Sequence, residues 1–566
     1  MPCRDDCHVL APAPHHRRDC IALFVVALLA NGLGAYFISR PGYMDAYYYF
    51  GGAVQLARGQ GFAEPYVWNY LDPIRQLPHP SHLYWMPLPS LVAAPFLWLA
   101  ERLAGTALPN ATLFRMAQIP FVLLASALPL LSYTIASLAT PQRRHALAAA
   151  GLTLFSGFYF IYWTNTDALA LYGLTAGGAL LAYSLARAPA PIHPHAPSRW
   201  LFLSGLLAGL AHLSRTDGVL LLVVFLGLIL WQSATPLRFA PGAIVRNPQS
   251  AIAAFVPILA GYTAIMLPWF LRNFLVVGTP LAPGGTRALW LTEYNDLFTY
   301  PADNLTLARY LATGWGSILA GKWSAIKINL GRLIGEQGIV VGLPFILVGL
   351  WSLRRNPWYA PASLYGVLLF AVMTLVFTFP GPRGSLFHSG AALLPFFFSA
   401  APVGLDALVE AVARRLPHWQ PEKSKPVFTA LLVAGAVGLT AVFFQMRVIG
   451  PGWPDPRVAS DTRYVEIGNW LAGQGDTQSI VAANNPPAFY YWTGHPSIVV
   501  PAGSADDLLN AMAAFGARWA VLDVNHTEGL KALYTAPEGE PCLRLRATFT
   551  DAAGKPVYLF EVSPNP

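Results

Sequence analysis

Two carboxylates in this chain stand where carboxylates are costly. Asp45 lies in Met44-Asp45-Ala46-Tyr47-Tyr48-Tyr49-Phe50, a few residues beyond the apolar stretch 21–38. Asp167 closes Thr164-Asn165-Thr166-Asp167, directly ahead of the apolar run 168–183. An ionisable side chain beside a bilayer is read first as a functional group. On a helix running on from Asp45, Tyr48 and Tyr49 share its face. A carboxylate among hydroxyls and aromatic rings suits binding a polyol hydroxyl and accepting its proton. Plainer accounts exist for both acids: Asp45 as a helix cap among interfacial tyrosines, Asp167 as an N-cap or a charge matched to a helix N-terminus. The residues alone leave both readings open.

Other candidates occupy similar places. Asp217, in Ser214-Arg215-Thr216-Asp217-Gly218, has Arg215 two residues away, which offers a local ion pair as the simpler explanation. His79 and His82 are spaced i, i+3 and would form a ligand set with Asp45 or Glu64. Pro80 between them argues against a regular helix, so hydrogen bonding in an interfacial loop is the expected role and no metal site is assigned. Cys3, Cys7 and His8 are read as part of a disordered tail rather than a metal site. Arg383, Arg272 and Lys322, with Lys327 and Arg332, are basic residues in loops between apolar runs. A guanidinium fork there suits a phosphate at the membrane surface, with snorkelling to lipid headgroups as the alternative. Arg383 is the one singled out. The chain has no P-loop, dinucleotide glycine motif, nucleophile elbow or H-E-x-x-H, so ATP hydrolysis and zinc proteolysis have no support.

The elements that must position these groups are membrane spans. Of 566 residues 55% are hydrophobic and 11% charged, against roughly 25% charged in soluble chains. Apolar runs near bilayer-crossing length fall at 21–38, 116–138, 146–163, 168–186, 200–214, 219–232, 251–270, 338–353, 359–379, 389–412 and 427–447. The segment 83–104 is ambiguous, being broken by Pro87, Pro89 and Pro95. If it crosses, the clusters Arg143/Arg144, Arg187/Arg199, Arg238/Arg246, Arg354/Arg355 and Arg414/Arg415 all face outward, against the positive-inside rule. The non-crossing reading puts them inside and gives eleven spans. Residues 1–20 then form a cytoplasmic tail and 21–449 a transmembrane domain with external loops at about 39–115 and 271–337. Surface-lying helices are expected in the first loop. Asp45, Asp167, Asp217 and Arg383 all fall on the external side. The net charge of +8 belongs to these basic clusters and is not read as nucleic-acid affinity.

Residues 450–566 are more polar. Helices at 464–471 and 505–515 alternate with strands at 479–483, 497–500, 518–524 and 543–562, which suggests a small extracytoplasmic α/β domain after the linker Gly450-Pro451-Gly452-Trp453-Pro454. No repeat of fixed period is present, which argues against an inverted-repeat transporter. Four cysteines without a C-x-x-C pair make a disulfide framework unexpected.

The order of these landmarks resembles the membrane-embedded GT-C glycosyltransferases, in particular the bacterial branch similar to dolichyl-phosphate-mannose–protein mannosyltransferases and aminoarabinose transferases. The resemblance rests on Met44–Tyr49 followed by Ala57-Arg58-Gly59-Gln60-Gly61-Phe62, on His82-Leu83-Tyr84-Trp85-Met86-Pro87-Leu88, on the Asp167 helix start, on Pro268-Trp269-Phe270-Leu271-Arg272-Asn273, and on Arg383-Gly384-Ser385-Leu386-Phe387-His388 through Pro395. It implies transfer of a sugar from a polyprenyl-phosphate carrier to a glycan, lipid or protein acceptor outside the cytoplasm. The implied setting is a multi-pass protein of the cell (inner) membrane. The first-loop acid maps onto Asp45, the second onto Asp167, and the late-loop arginine onto Arg383 as a ligand of the lipid phosphate. Arg272 and Lys322 join it as donor-phosphate candidates; Tyr48, Tyr49, His82 and Asp217 are candidates for the acceptor or sugar. Asp45 has no adjacent acid, so a divalent metal stays open and no other cofactor is implied. The rival functions are a transporter or flippase of lipid-linked sugars and a polymerase or ligase of surface polysaccharide.

Overall fold

The computed structural model describes residues 15–187, 196–234, 248–416, 418–450, 456–551 and 553–563. Cys3, Cys7, His8, Arg238, Arg246 and the linker residues 451–454 lie outside them. Among the described residues, six helices are long and apolar enough to cross a membrane: α1 (His16–Phe37), α4 (Asn110–Ala139), α6 (Leu169–Ala186), most of α9 (Pro248–Val277), and the helical stretches Gly381–Ala413 and Pro421–Ile449. At 1.5 Å per residue, their 18 to 33 residues match a hydrocarbon core about 30 Å thick. Leu29 and Leu33 of α1 are more than half exposed, as a lipid-facing stripe requires. Three shorter apolar helices, Thr216–Gln232, Leu343–Ser352 and Ala360–Val376, stand beside them. The run 146–163, read as one crossing, is broken: α5 (Arg143–Leu154) has 12 residues and gives way to a 3-10 turn at Gly157–Ile161, where Gly157 has φ +63. The count of eleven crossings therefore remains an expectation.

One end of the bundle is pinned by ion pairs. Asp19 near the start of α1 pairs with Arg143 at 2.6 Å and accepts from the Tyr133 hydroxyl of α4. Asp406 pairs with Arg144 at 2.6 Å and with His145 at 2.9 Å. These contacts gather Arg143, Arg144 and Lys425 at one face, and place the C-terminus of α1 and the N-termini of α4 and α6 at the other.

Above that other face lie α2 (Met44–Ala57), α3 (Leu88–Ala104) and the paired short strands β1 (Ala63–Glu64) and β3 (His79–Pro80). The C-terminal region builds a six-stranded sheet from β4 (Ile480–Ala483), β5 (Ser497–Val499), β6 (Ala517–Leu522), β7 (Leu543–Thr550) and β8 (Pro556–Val562). Its sixth strand is β2 (Tyr66–Val67) from the first loop, parallel to β5 at the sheet edge, in the order β2-β5-β4-β6-β8-β7. Tyr47 and Phe50 of α2 share one core with Val481, Phe489, Tyr491 and Trp519, so this region is packed onto the segment that carries Asp45.

Helices α7 (Ala196–Ser214) and α9 approach closely because both offer glycines. A Cβ on Gly205 would lie 1.9 Å from the Ile258 carbonyl oxygen, and one on Gly261 2.3 Å from that of Phe202. The pair matters because α7 leads directly into Arg215 and α9 carries Arg272. Gly205→Leu is expected to force the helices apart and cost at least the roughly 1–3 kcal/mol of an overpacked core. The check is a lowered Tm in detergent; an unchanged Tm would contradict the contact.

Candidate active site

Asp45 occupies the first turn of α2, and Asp167 the residue before the N-cap of α6. Two side chains strap their segments together: Asn165 Nδ2 donates to the Pro41 carbonyl at 2.7 Å, and Thr166 Oγ1 to the Ala46 carbonyl at 2.9 Å. Asp167, 1% exposed, is surrounded by donors. Its Oδ1 accepts from the Ala168 amide, and its Oδ2 from the Tyr43 hydroxyl at 2.5 Å and from His388 Nε2 at 3.0 Å. The other ring nitrogen of His388 donates to the Gly384 carbonyl at 2.9 Å. Gly384 has φ +137, a conformation that needs glycine and that aims its carbonyl at the imidazole. Asp45, Asp167 and His388 each bring one ligand atom within 4.8 Å of the others.

The two acids titrate in opposite directions. Burial pushes the Asp45 carboxyl up to about 6; the nearby charge of Asp167 adds to this, and His388 and Arg215 oppose it. Burial also acts to raise Asp167, but the charge and hydrogen bond of His388 and the Tyr43 hydroxyl outweigh it and hold Asp167 below the usual carboxylate range. Asp167 is thus a fixed anion and Asp45 a group that exchanges a proton near neutrality, the split that separates a structural acid from a proton-transferring one. With Nδ1 committed to Gly384, His388 Nε2 faces Asp167 with Asp45 close by, and it becomes a ligand atom once its proton is released. Two carboxylates and an imidazole fit a divalent cation.

Arg215 flanks this group. Its Nε donates to Asp217 Oδ1 at 3.2 Å and to Ser389 Oγ at 3.0 Å, and the Ser389 hydroxyl donates to the second Asp217 oxygen. Asp217 is therefore committed to Arg215 and Ser389, consistent with the ion-pair account. The face shared by Tyr48 and Tyr49 divides. Tyr49 feels the charges of Asp167, Arg215 and Asp45, whereas the Tyr48 hydroxyl accepts from the His82 amide at 2.6 Å. Burial, with Arg272 nearby, depresses His82 to about 3, so its ring is neutral. His79 lies between Asp72 (3.1 Å) and Glu64 (3.6 Å), one carboxylate at each nitrogen, and shares no ligand position with His82.

The three donor-phosphate candidates are held by different groups. Arg272 lies over the Trp269 ring at 4.7 Å and donates to the Ser81 carbonyl at 2.8 Å. Lys322 donates to the Leu375 carbonyl. Arg383 is exposed and sits 4.8 Å over the ring of Tyr294, in the second long loop. It is one residue from Gly384, which positions His388. The sequence reading missed Tyr43 and the bond between His388 and Asp167. Tyr43 was legible as a polar residue two positions from Asp45, but nothing local links residues 167 and 388.

No protein-family model and no curated protein matches the chain. Solved structures do. The oligosaccharyltransferase of Archaeoglobus fulgidus, tethered with an acceptor peptide, aligns with TM-score 0.57 at 12% identity over 96% of this chain and 74% of that one. The same organism's AglB in complex with an inhibitory peptide and a dolichol-phosphate gives 0.52 at 11% identity, covering 96% and 74%. ArnT of Cupriavidus metallidurans bound to undecaprenyl phosphate gives 0.52 at 12%, covering 96% and 98%. The chain has the fold of these membrane-embedded GT-C glycosyltransferases.

Burying Asp45 has a consequence for stability. Its folded pKa lies above the ordinary 3.8, so the stability contributed by the protonated form is complete below that value and is lost as pH rises through about 6. Asp45→Asn, neutral at every pH, is expected to gain thermal stability over the parent as pH rises from 4 to 7. Parallel melting curves that keep a constant offset would contradict this.

Proposed function

We propose that the protein transfers a glycosyl group from a polyprenyl-phosphate carrier to an acceptor at the extracytoplasmic surface of the cell (inner) membrane. The observation that carries this reading is the pair of carboxylates with opposed titration, set at the helix ends of a GT-C fold. The N-terminus is assigned to the cytoplasm and residues 450–566 to the outside, with the basic clusters at 143–144 and 425 facing in.

Asp45 accepts the proton of the acceptor hydroxyl or amine as that atom attacks the anomeric carbon. The bond from that carbon to the phosphate oxygen breaks on the opposite face, and the configuration inverts. Arg383 takes the charge of the departing polyprenyl phosphate, with Arg272 and Lys322 as further candidates. Asp167, through His388 and Tyr43, fixes the pocket in which Asp45 works. A divalent cation held by Asp45, Asp167 and His388 would supply positive charge for the leaving phosphate. Tyr49 lies near enough to the acids to contact the sugar or acceptor, and Tyr48, His82 and Asp217 support the walls.

With purified protein and a lipid-linked donor, Asp45→Asn is expected to reduce transfer by about 10²–10⁴-fold, the usual contribution of a general base. Full activity in this variant would eliminate the assigned role. Asp45 must be ionised to act, so transfer should fall as pH drops through about 6; a rate flat from pH 5 to 8 would count against it. Arg383→Ala is expected to raise KM for the donor at least tenfold and to leave Tm unchanged.

A further inference from the structure

The first long loop contains a pocket whose acids the proposed mechanism does not use. It encloses about 300 Å³ of non-protein space, narrow inside and partly open to the surface. Glu64 of β1, His79 of β3, Asn69 and Asp72 make its interior polar, and Trp68 and Tyr84 add an aromatic wall. The C-terminal sheet backs it: Val67 of β2 lines the pocket beside β5, and the Tyr70 hydroxyl donates to the Val499 carbonyl. Gly284, from the second long loop, lines another side, where a Cβ would come within 2.8 Å of the Tyr84 ring. Asp72 Oδ1 accepts from the Ile74 amide at 2.9 Å and from His79 Nε2 at 3.1 Å. Glu64, 4% exposed, has Oε1 3.6 Å from His79 Nδ1, and its Oε2 has no hydrogen-bond partner among the described residues. The Tyr48 hydroxyl stands near enough to favour the Glu64 anion, but its oxygen is taken by the His82 amide. A buried acceptor left open is costly, and a donor from outside the chain would satisfy it.

We propose that this pocket is the acceptor subsite and that the acceptor is a saccharide, one of whose hydroxyls donates to Glu64. The chemistry of the walls selects that class. Ionised carboxylates only accept hydrogen bonds, so two of them exclude a phosphate or a carboxylate. His79 is the one basic side chain lining the pocket among the described residues, and both acids hold it. Burial acts against its charge, but Asp72 and Glu64 outweigh that and push the ring up to about 9, so one acid is already neutralised. Burial pushes Glu64 itself up to about 7, which leaves little net charge to draw an ammonium group. A neutral O–H is the donor that fits. The narrow interior admits a hydroxyl, while Trp68 and Tyr84 offer aromatic surface to the C–H face of a sugar ring. The acceptor role rests on the glycosyl-transfer reading. Tyr84 lines the pocket and also feels the charges of Asp45, Asp217 and Arg215, so the pocket adjoins the Asp45 group. A saccharide anchored at Glu64 brings a further hydroxyl to Asp45. That oxygen bonds the anomeric carbon as the bond from this carbon to the phosphate oxygen breaks, and its proton passes to Asp45.

The test uses the full chain in nanodiscs, with neutral trisaccharides of glucose, galactose, mannose, rhamnose or N-acetylglucosamine as probes. At least one is expected to bind by saturation-transfer NMR and to slow hydrogen–deuterium exchange in 64–72 and 79–84. Glu64→Leu should weaken that binding about tenfold, the scale of a lost hydrogen bond to a charged group. Glu64→Gln keeps an acceptor oxygen and should retain most of it. Asp45→Asn should bind like the parent, so the site is scored whether or not transfer occurs. Binding by none of the probes, protection elsewhere, or undiminished binding in Glu64→Leu would overturn the site, and the exchange arm needs no variant to fold. Displacement by millimolar ethylammonium would overturn the choice of a neutral ligand. For the acceptor role, Glu64→Leu should raise KM for the bound saccharide and leave the donor KM unchanged. An unchanged acceptor KM with binding lost, or transfer only to peptide or lipid, would overturn that role alone. Binding without transfer to any acceptor would count against the glycosyl-transfer reading, and with it the acceptor role, and leave the site standing.

Discussion

The site depends on one buried carboxylate being held ionised. Asp167 is almost wholly removed from water, and an unpaired charge there would instead take up a proton. The Tyr43 hydroxyl, His388 and the Ala168 amide prevent that, and together they draw on the loop before α2, the Gly381–Ala413 stretch and the start of α6. Burial raises the Asp45 carboxyl and the charge of Asp167 beside it adds to the rise, so that its proton becomes exchangeable near neutrality. One acid is thus spent on positioning and field, and the other is left free for proton transfer.

The remaining architecture keeps those segments in register. At one end, Asp19 and Asp406 bind Arg143, Arg144 and His145 and fix the heights of α1, α4, α5 and the two late helices. At the other, Asn165 and Thr166 bond the second loop to the backbone on either side of Asp45. The C-terminal sheet takes β2 from the first loop and buries Tyr47 and Phe50, which makes it part of the support for α2 and not a separate appendage.

The positions of Asp45 and Asp167 were legible in the sequence because a charge next to an apolar run is conspicuous without any long-range information. So were most strands of the C-terminal region, whose alternation is local: the helix at 505–515 is found as read, and the stretch 543–562 forms β7 and β8 with a turn between them. The bond between His388 and Asp167 was not legible, since it joins residues 221 apart. Nor was β2, two residues long, which is a strand only because β5 lies beside it. Tyr48 and Tyr49 look alike by helical spacing, and what separates them is tertiary: His82 comes back to take the Tyr48 hydroxyl. The break after Leu154 had a local sign in Gly157, but an apolar run masks it.

Infrared titration of the Asp45 carboxyl, in the parent and in Asp167→Asn, tests the central claim most directly. If the two acids share one pocket, neutralising Asp167 removes a negative charge and the Asp45 midpoint falls from about 6 toward the ordinary value. A midpoint unmoved by the substitution would show that the acids do not sense each other, and the account of the site would fail with it.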